Sequence, residues 1–275
     1  MDFLNLDPLI RSALQEDVGR GDLTTEAVAA VGDRTMVARV LAKEPLVVAG
    51  WPVFARVFSL LGDVAAESRV SEGAVFEGGV LGQLAGPAST LLTGERVALN
   101  FLQRCCGIAS QTREWVNLVQ AYPVRLLDTR KTTPLLRSLE KYAVRMGGGF
   151  NHRMGLDDAV LIKENHIRLA GGLSEAVVAC RTRVSHLCKI EVEVQTLDQL
   201  EEALSLAVEI VMLDNFSPAQ AREAVEKVGG RCLIEASGGI TRENLLEYAP
   251  TGVDFISIGA LTHSFRSSDI SLLLD

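Results

Sequence analysis

From residue 124 onward the chain alternates two kinds of segment. Short apolar runs, VRLLD, AVLIK, KIEVEV, EIVMLD, CLIEAS and VDFISIG, read as strands, and between them stretches such as TLDQLEEALSLA and SPAQAREAVEKV carry apolar residues at helical spacing. Strands that alternate with helices pair in parallel through crossover connections. Six of them suit a barrel or incomplete barrel, with a doubly wound open sheet as the competing architecture. Upstream the pattern changes. Residues 90–122 are helical, with an interruption expected at Cys106–Gly107, and this stretch links two domains. Before it, TMVARVLAKE, PLVVAG, DVAAESRV and VLGQLAG read as strands joined by glycine-bearing turns such as EGAVFEGG. Asp7 and Pro8 are placed as the N-cap and first position of a helix that ends near Gly19.

Composition permits a large core, with 48% hydrophobic and 23% charged residues in a chain of 275. No apolar run approaches the roughly 18 residues that cross a bilayer, and the opening residues are acidic and amphipathic instead of basic and cleavable, so a cytoplasmic protein is expected. The five cysteines, Cys105, Cys106, Cys180, Cys188 and Cys232, are odd in number and lack CxxC spacing, which argues against disulfides and zinc; all five are expected in the core. A net charge of -8 disfavours nucleic acid or anionic membranes as partners. Against that acidic background, Arg125, Arg130, Lys131, Arg137, Lys141, Arg145, Arg153 and Lys163 fall in one stretch. Arg137, Lys141 and Arg145, four apart, are expected on a solvated helix face.

Each strand ends in a polar residue or glycine: Asp128 with Arg130 and Lys131, then Lys163, Glu193, Asp214, Ser237 with Gly238 and Gly239, and Gly259. In a parallel barrel these ends converge on one rim, whereas an open sheet would recruit only two or three of them. Arg130, Lys131, Arg153 and Lys163 supply fixed cations for a polyanion. Glu193 and Asp214 are hard carboxylates that suit Mg²⁺ bound through substrate phosphates. The alternative, that they pair with the lysines, leaves the arginines without anions. The turns SGGI (237–240) and IGALTHS (258–264) let backbone N–H groups approach phosphate. Neither a P-loop nor a GxGxxG fingerprint is present, so nothing points to ATP hydrolysis or a Rossmann site.

The blocks TGERVALNFLQRCCGIAS (93–110), DTRKTTPLLRSLEKYAVRMGGGFNHRMGLDDAVLIKENH (128–166), EVEV (191–194), LDNF (213–216), EASGGI (235–240) and IGALTHS (258–264) resemble the signature blocks of the quinolinate phosphoribosyltransferases, in order and over nearly the whole chain. The resemblance implies an α/β fold of the type II phosphoribosyltransferase kind. An N-terminal α/β sandwich domain (1–105) would precede an open, incomplete α/β barrel (106–264), with the tail (265–275) returning to the first domain. It implies a homodimer, which could assemble to a hexamer, in which Arg96 reaches the partner's site. It implies that Thr129, Arg130, Lys131, His152, Arg153 and Lys163 bind quinolinate and the phosphates of phosphoribosyl pyrophosphate (PRPP), that Glu193 and Asp214 hold Mg²⁺ and the ribose, and that Ser237, Gly238, Gly239, Ile258, Gly259 and Ala260 cradle the 5-phosphate. Lys163, Glu193 and Asp214 would carry the catalysis. One departure stands out: Cys106 occupies a position where the family usually has serine, a small-for-small exchange with no expected loss of activity.

The implied reaction joins quinolinate to PRPP and releases pyrophosphate and carbon dioxide, giving nicotinate mononucleotide. Departure of pyrophosphate builds an oxocarbenium-like centre, so anions beside the sugar and cations on the leaving group favour it. Arg130 and Arg153 together favour a dicarboxylate over the acceptors of nicotinate-type or molybdenum-associated relatives. A Schiff-base aldolase using Lys163 is the reading from another enzyme class, disfavoured by the acids around that lysine, and a phosphate-binding module without catalysis is the third. Of the remaining histidines, His166 is expected to hydrogen-bond at the rim, His186 to lie on a surface loop and His263 to pack or cap near the last turn.

Overall fold

The structure, a computed structural model, describes residues 3–275, with side chains from Leu6 onward. By packing, the chain divides into two units, one formed by residues up to Arg113 with Thr133–Gly148 and Phe265–Asp275, the other by Glu114–Thr132 and Gly149–Ser264.

The first unit opens with α1 (Phe3–Val18), α2 (Leu23–Ala29), β1 (Thr35–Ala42), β2 (Leu46–Val47), α3 (Trp51–Leu61), β3 (Ala65–Ser68), β4 (Val75–Phe76), β5 (Gly79–Pro87) and the 31-residue α4 (Ala88–Leu118). Helix α1 begins before Asp7 and carries Pro8 inside it. Asp7 is not its cap, because its carboxylate is taken by Arg56 of α3, whose Nε donates at 2.9 Å. The glycine-bearing segment at 72–79 contains β4 and is not a bare turn. Helix α2, unexpected from the pattern, is capped by the Asp22 carboxylate, which accepts from Thr25 N at 3.0 Å.

Helix α4 runs through Cys106–Gly107 without the expected break. Glycine inside a helix costs about 1 kcal/mol relative to alanine, but here it permits a close crossing: a Cβ on Gly107 would lie 2.2 Å from the Arg266 carbonyl oxygen. Helix α5 (Arg137–Met146) also packs in this unit. By packing, the first unit thus takes in residues on both sides of 105/106. Lys141 is the correction within α5, being fully buried where a solvated face was expected; Leu139, Ala143 and Val144 bury with it, while Arg145 stays exposed. The buried Glu140 carboxylate takes Arg104 of α4 through Nε at 3.0 Å and Nη2 at 2.6 Å, which compensates the charge that burial would otherwise leave unpaired.

In the second unit the strands are β6 (Arg125–Leu127), β7 (Val160–Ile162), β8 (Ile190–Val194), β9 (Ile210–Asp214), β10 (Leu233–Ser237) and β11 (Phe255–Ser257), with helices α6 (Glu164–Ala170), α7 (Leu173–Arg183), α8 (Leu197–Ser205), α9 (Pro218–Val228), α10 (Leu245–Tyr248) and α11 (Ala260–His263) between and after them. They form one parallel sheet in the order β6-β11-β10-β9-β8-β7. Its edges β6 and β7 are not paired with each other among the described residues, so the barrel is open. A bridge from Leu127 to Phe150 adds the segment after α5 to the β6 edge. The last strand, β12 (Ile270–Leu274), returns to the first unit and completes the antiparallel sheet β12-β1-β5-β3, pairing with β1.

Cys105 and Cys106 are buried as expected, whereas Cys180, Cys188 and Cys232 are half-buried. Among the described residues no helix is long and apolar enough to cross a membrane.

Candidate active site

Side chains on a strand alternate between faces, so Glu191 and Glu193 on β8, Met212 and Asp214 on β9, and Glu235 and Ser237 on β10 form pairs that share a face of the sheet. Parallel register aligns them, Glu193 with Met212, Met212 with Glu235, and Asp214 with Ser237. These strand ends open onto a cavity of about 480 Å³. Its wall contains Thr129, Arg130, Lys131, His152, Arg153, Lys163, Glu193, Asp214, Ser237, Gly238 and Gly239, together with Leu161, Met212, Asn215, Glu235 and Ser257.

Eleven of the residues singled out in the sequence thus meet in one place. Ile258, Gly259 and Ala260 do not line the cavity; Ile258 is buried, and Gly259 packs behind the wall, where a Cβ would stand 3.0 Å from Lys131 Cδ. Arg96 is exposed on α4, in the first unit.

Local bonds fix the cations and turns. Thr129 Oγ1 accepts from Lys131 N at 3.0 Å, and the Lys131 carbonyl accepts from the Thr262 hydroxyl of α11 at 2.8 Å. The segment bearing His152 and Arg153 hangs on Asp128, which is fully buried and accepts from Asn151 Nδ2 at 2.5 Å and His152 N at 2.9 Å. Arg153 Nη1 donates to the Ala159 carbonyl at 3.1 Å. Burial, then the neighbouring Arg130, lower the pKa of the Arg153 guanidinium, and Glu191 and Asp158 oppose that shift. It stays charged.

Lys163 is ion-paired with Glu193, whose side chain is 12% exposed against 45% for the lysine. Lysine pairing is thus present at Glu193, whose carboxylate also stands on the cavity wall. Asp214 accepts from Gln195 Nε2 at 3.3 Å. At the SGGI turn Gly238 has φ +94°, and a Cβ there would lie 2.3 Å from Asn215 Oδ1. Asn215 itself has φ +59°, held by its N–H to the Ser237 carbonyl at 2.9 Å. A non-glycine residue in this region stores strain, as is common at functional sites. Lys163 N donates to His166 Nδ1 at 2.9 Å, which places His166 at the rim; His186 is exposed, and His263 closes α11 with Nδ1 2.7 Å from Ser264 Oγ.

Beneath the rim lie residues that sequence reasoning missed. Glu191, Glu235 and Ser257 are at most 5% exposed, and His152 Nε2 stands 3.1 Å from Glu191 Oε2 and 3.6 Å from Glu235 Oε2. Burial, and next the Glu191 charge, push the Glu235 carboxyl up to about 8. Period two places Glu191 and Glu235 two positions before Glu193 and Ser237 on the same strand faces, but it does not show that they meet.

The chain matches the family model described as quinolinate phosphoribosyl transferase, N-terminal domain, over residues 22–106, and the corresponding C-terminal domain over 108–273. It is 43% identical over 274 residues to a Bacillus subtilis protein named probable nicotinate-nucleotide pyrophosphorylase (carboxylating), covering 99% of this chain and 94% of that one. With nicotinate-nucleotide pyrophosphorylase (carboxylating) of Mycobacterium leprae it shares 42% identity over 271 residues, 96% of this chain and 95% of the other. The solved nicotinate-nucleotide pyrophosphorylase of Francisella tularensis superposes with a TM-score of 0.95 at 39% identity, covering 100% of this chain and 98% of that one. With both domains matched in order and full-length likeness in sequence and fold, the chain belongs to the quinolinate phosphoribosyl transferase family.

Proposed function

We propose that this enzyme transfers the phosphoribosyl group of PRPP to quinolinate with loss of carbon dioxide, forming nicotinate mononucleotide and pyrophosphate in NAD biosynthesis. The observation that carries this reading is the cavity wall, where Arg130, Lys131, Arg153 and Lys163 face Glu193 and Asp214 at one rim. Both substrates are polyanions, and one of them becomes cationic at its anomeric carbon as the leaving group departs.

Arg153 and Arg130 hold the two carboxylates of the acceptor, and Thr129 and His152 complete that side. Oriented binding of this kind converts an encounter of two anions into a near-unimolecular attack by the ring nitrogen. Lys163 moves between Glu193 and the pyrophosphate as charge builds on the leaving group, and Glu193 and Asp214 offset the positive sugar. The Ser237–Gly239 turn receives the 5-phosphate through backbone N–H groups, and Lys131, with Gly259 behind it, closes that end. No protein nucleophile is needed. Cys106 is no candidate for one, because burial pushes its thiol up to about 12.

The donor set fits magnesium: two hard carboxylates on neighbouring strands face a cavity that receives phosphates. Glu193 and Asp214 would hold the ion, which when bound neutralises the pyrophosphate. We also place Arg96 in a partner's cavity across a homodimer, as the family resemblance implies; it is an exposed arginine on α4 and is not among the residues that line the strand-end cavity of its own chain.

The test is formation of nicotinate mononucleotide from quinolinate and PRPP, with and without Mg²⁺, beside a parallel assay with nicotinate as acceptor. Magnesium-dependent turnover of quinolinate with release of carbon dioxide is expected. Turnover of nicotinate alone would transfer the chain to a different acceptor.

A further inference from the structure

Asn215 follows Asp214 at the end of β9 and lines the strand-end cavity beside the Ser237–Gly239 turn. Its backbone is left-handed, with φ +59°, a conformation that costs most side chains energy and that asparagine tolerates better than others. Its neighbours impose it. The Asn215 N–H donates to the Ser237 carbonyl at 2.9 Å, and the next carbonyl, that of Phe216, accepts from the Tyr248 hydroxyl at 3.0 Å. Ser217 then caps α9, its hydroxyl accepting from Gln220 N at 3.4 Å. Strain of this kind persists only where the surroundings over-determine it, and it clusters where ligands are held.

The side chain is not consumed by that arrangement. Among the described residues the Asn215 carboxamide has no hydrogen-bond partner, although it lies against Gly238 so closely that a Cβ there would stand 2.3 Å from Oδ1. The turn itself is held from both sides, since the Ser237 carbonyl takes the Asn215 N–H and the Gly239 carbonyl takes Asn244 Nδ2 at 3.0 Å. The N–H groups of Gly238 and Gly239, by contrast, have no acceptor in the chain among the described residues. These N–H groups and the Asn215 amide are neutral donors that border one end of the cavity. A ribose hydroxyl donates as well as accepts, and Glu193 and Asp214 are the groups that answer it. A phosphate monoester at neutral pH mainly accepts, so an end built of donors suits phosphate better than sugar.

We propose that Asn215 binds the 5-phosphate of the phosphoribosyl donor, its Nδ2 group completing with a side-chain donor the cradle that the Ser237–Gly239 turn forms from backbone N–H groups. The inference rests on the functional reading given above, in which that turn is the phosphate end of the cavity. The left-handed backbone serves this contact. It ties the carboxamide to the same bond that fixes Ser237, so the side-chain donor and the backbone donors are set in place together before the ligand arrives, and little freedom is lost when it binds.

Two substitutions separate the side chain from the backbone. Asn215→Gly removes the carboxamide and accepts a positive φ without strain, so the N–H to Ser237 and the turn stay as they are. Asn215→Asp keeps the shape but sets a carboxylate against the phosphate, and it carries the test independently of the glycine variant. Loss of one bond to a charged group should raise the KM for PRPP about 10- to 100-fold in Asn215→Gly, with kcat within about threefold, because the 5-phosphate takes no part in the bond changes. Asn215→Asp should raise it further, and the KM for quinolinate should hold in both. Calorimetry distinguishes phosphate from sugar: Asn215→Gly should bind nicotinate mononucleotide at least about 10-fold more weakly than the unsubstituted enzyme and bind the riboside that lacks the phosphate equally well. Equal losses for the two ligands would move the carboxamide to the sugar, and no loss for either would make Asn215 a backbone element only; each result overturns the proposal. So would failure of the unsubstituted protein to bind ribose 5-phosphate. That probe also keeps the two readings apart, since an enzyme that binds ribose 5-phosphate, more weakly as Asn215→Gly, but does not turn over quinolinate retains the phosphate contact and loses the proposed function.

Discussion

Asp128→Asn tests how the acceptor side is held together. The segment at 149–153 is not a strand; it hangs on the β6 edge by the Leu127–Phe150 bridge, by Asp128 N to the Phe150 carbonyl at 3.1 Å and by Phe150 N to the Leu126 carbonyl at 2.8 Å. Beyond that bridge the bonds from Asn151 Nδ2 and His152 N to the Asp128 carboxylate set where His152 and Arg153 stand. An asparagine keeps one oxygen and points an N–H₂ group at the other donor. One charge-assisted bond is lost and one donor is left facing a donor, worth about 1.5–3 kcal/mol.

If that energy holds Arg153 in its binding position, it appears in acceptor affinity as roughly a 10- to 100-fold rise in the KM for quinolinate, at 1.4 kcal/mol per factor of ten. The KM for PRPP should change little, because the Ser237–Gly239 turn and Lys131 are tied to β9, β10 and α11 through other bonds. Initial rates with each substrate varied at saturating concentration of the other make the comparison, and a thermal melt provides the control. A variant whose melting temperature drops by several degrees while the KM for quinolinate is unchanged would refute the reasoning, since Asp128 would then support the fold and not the placement of Arg153.

Lys163→Met should lower kcat by about 10²- to 10³-fold, the usual loss for one electrostatic group at a reacting centre. Its unfolding free energy should move by no more than about 1 kcal/mol, because the Lys163 side chain is 45% exposed and its ion pair is screened; a large stability loss in urea titration would contradict the assignment. Cys106→Ser should leave activity unchanged, since Cys106 Sγ meets the Ala49 N–H and carbonyl at 3.4 Å each and a hydroxyl can serve both. With its thiol pushed up to about 12, Cys106 should resist iodoacetamide at pH 8 until the protein unfolds, and rapid labelling of the native enzyme would count against this. Glu235 predicts the direction of a stability change with pH. Its carboxyl is raised to about 8 from 4.5, so the folded state binds more protons than the unfolded one within that window, and stability present below about pH 4.5 is lost as pH rises towards 8. Unfolding free energies measured from pH 5 to 8 should therefore decline more steeply in the unsubstituted enzyme than in Glu235→Gln, and parallel curves would rule out the shift.

The strands of the barrel were legible because parallel strands buried on both faces must be short continuous apolar runs, and the rim was legible because each such run ended in a group that no core would accept. The errors share a different physical origin. Spacing of four shows that Arg137, Lys141 and Arg145 lie near one another on a helix, but not which side of that helix the fold covers, and the structure buries the middle one alone. Gly107 looked like a break because its cost is local, whereas its benefit comes from Arg266, more than 150 residues later in the chain. Glu191 and Glu235 were hidden for a related reason. Period two aims both to the same side as the rim residues, yet β9 lies between their strands. Only closure of the sheet towards a barrel brings them to one histidine. The meeting of two buried acids with one histidine is a property of that closure, and no window of sequence around either residue contains it.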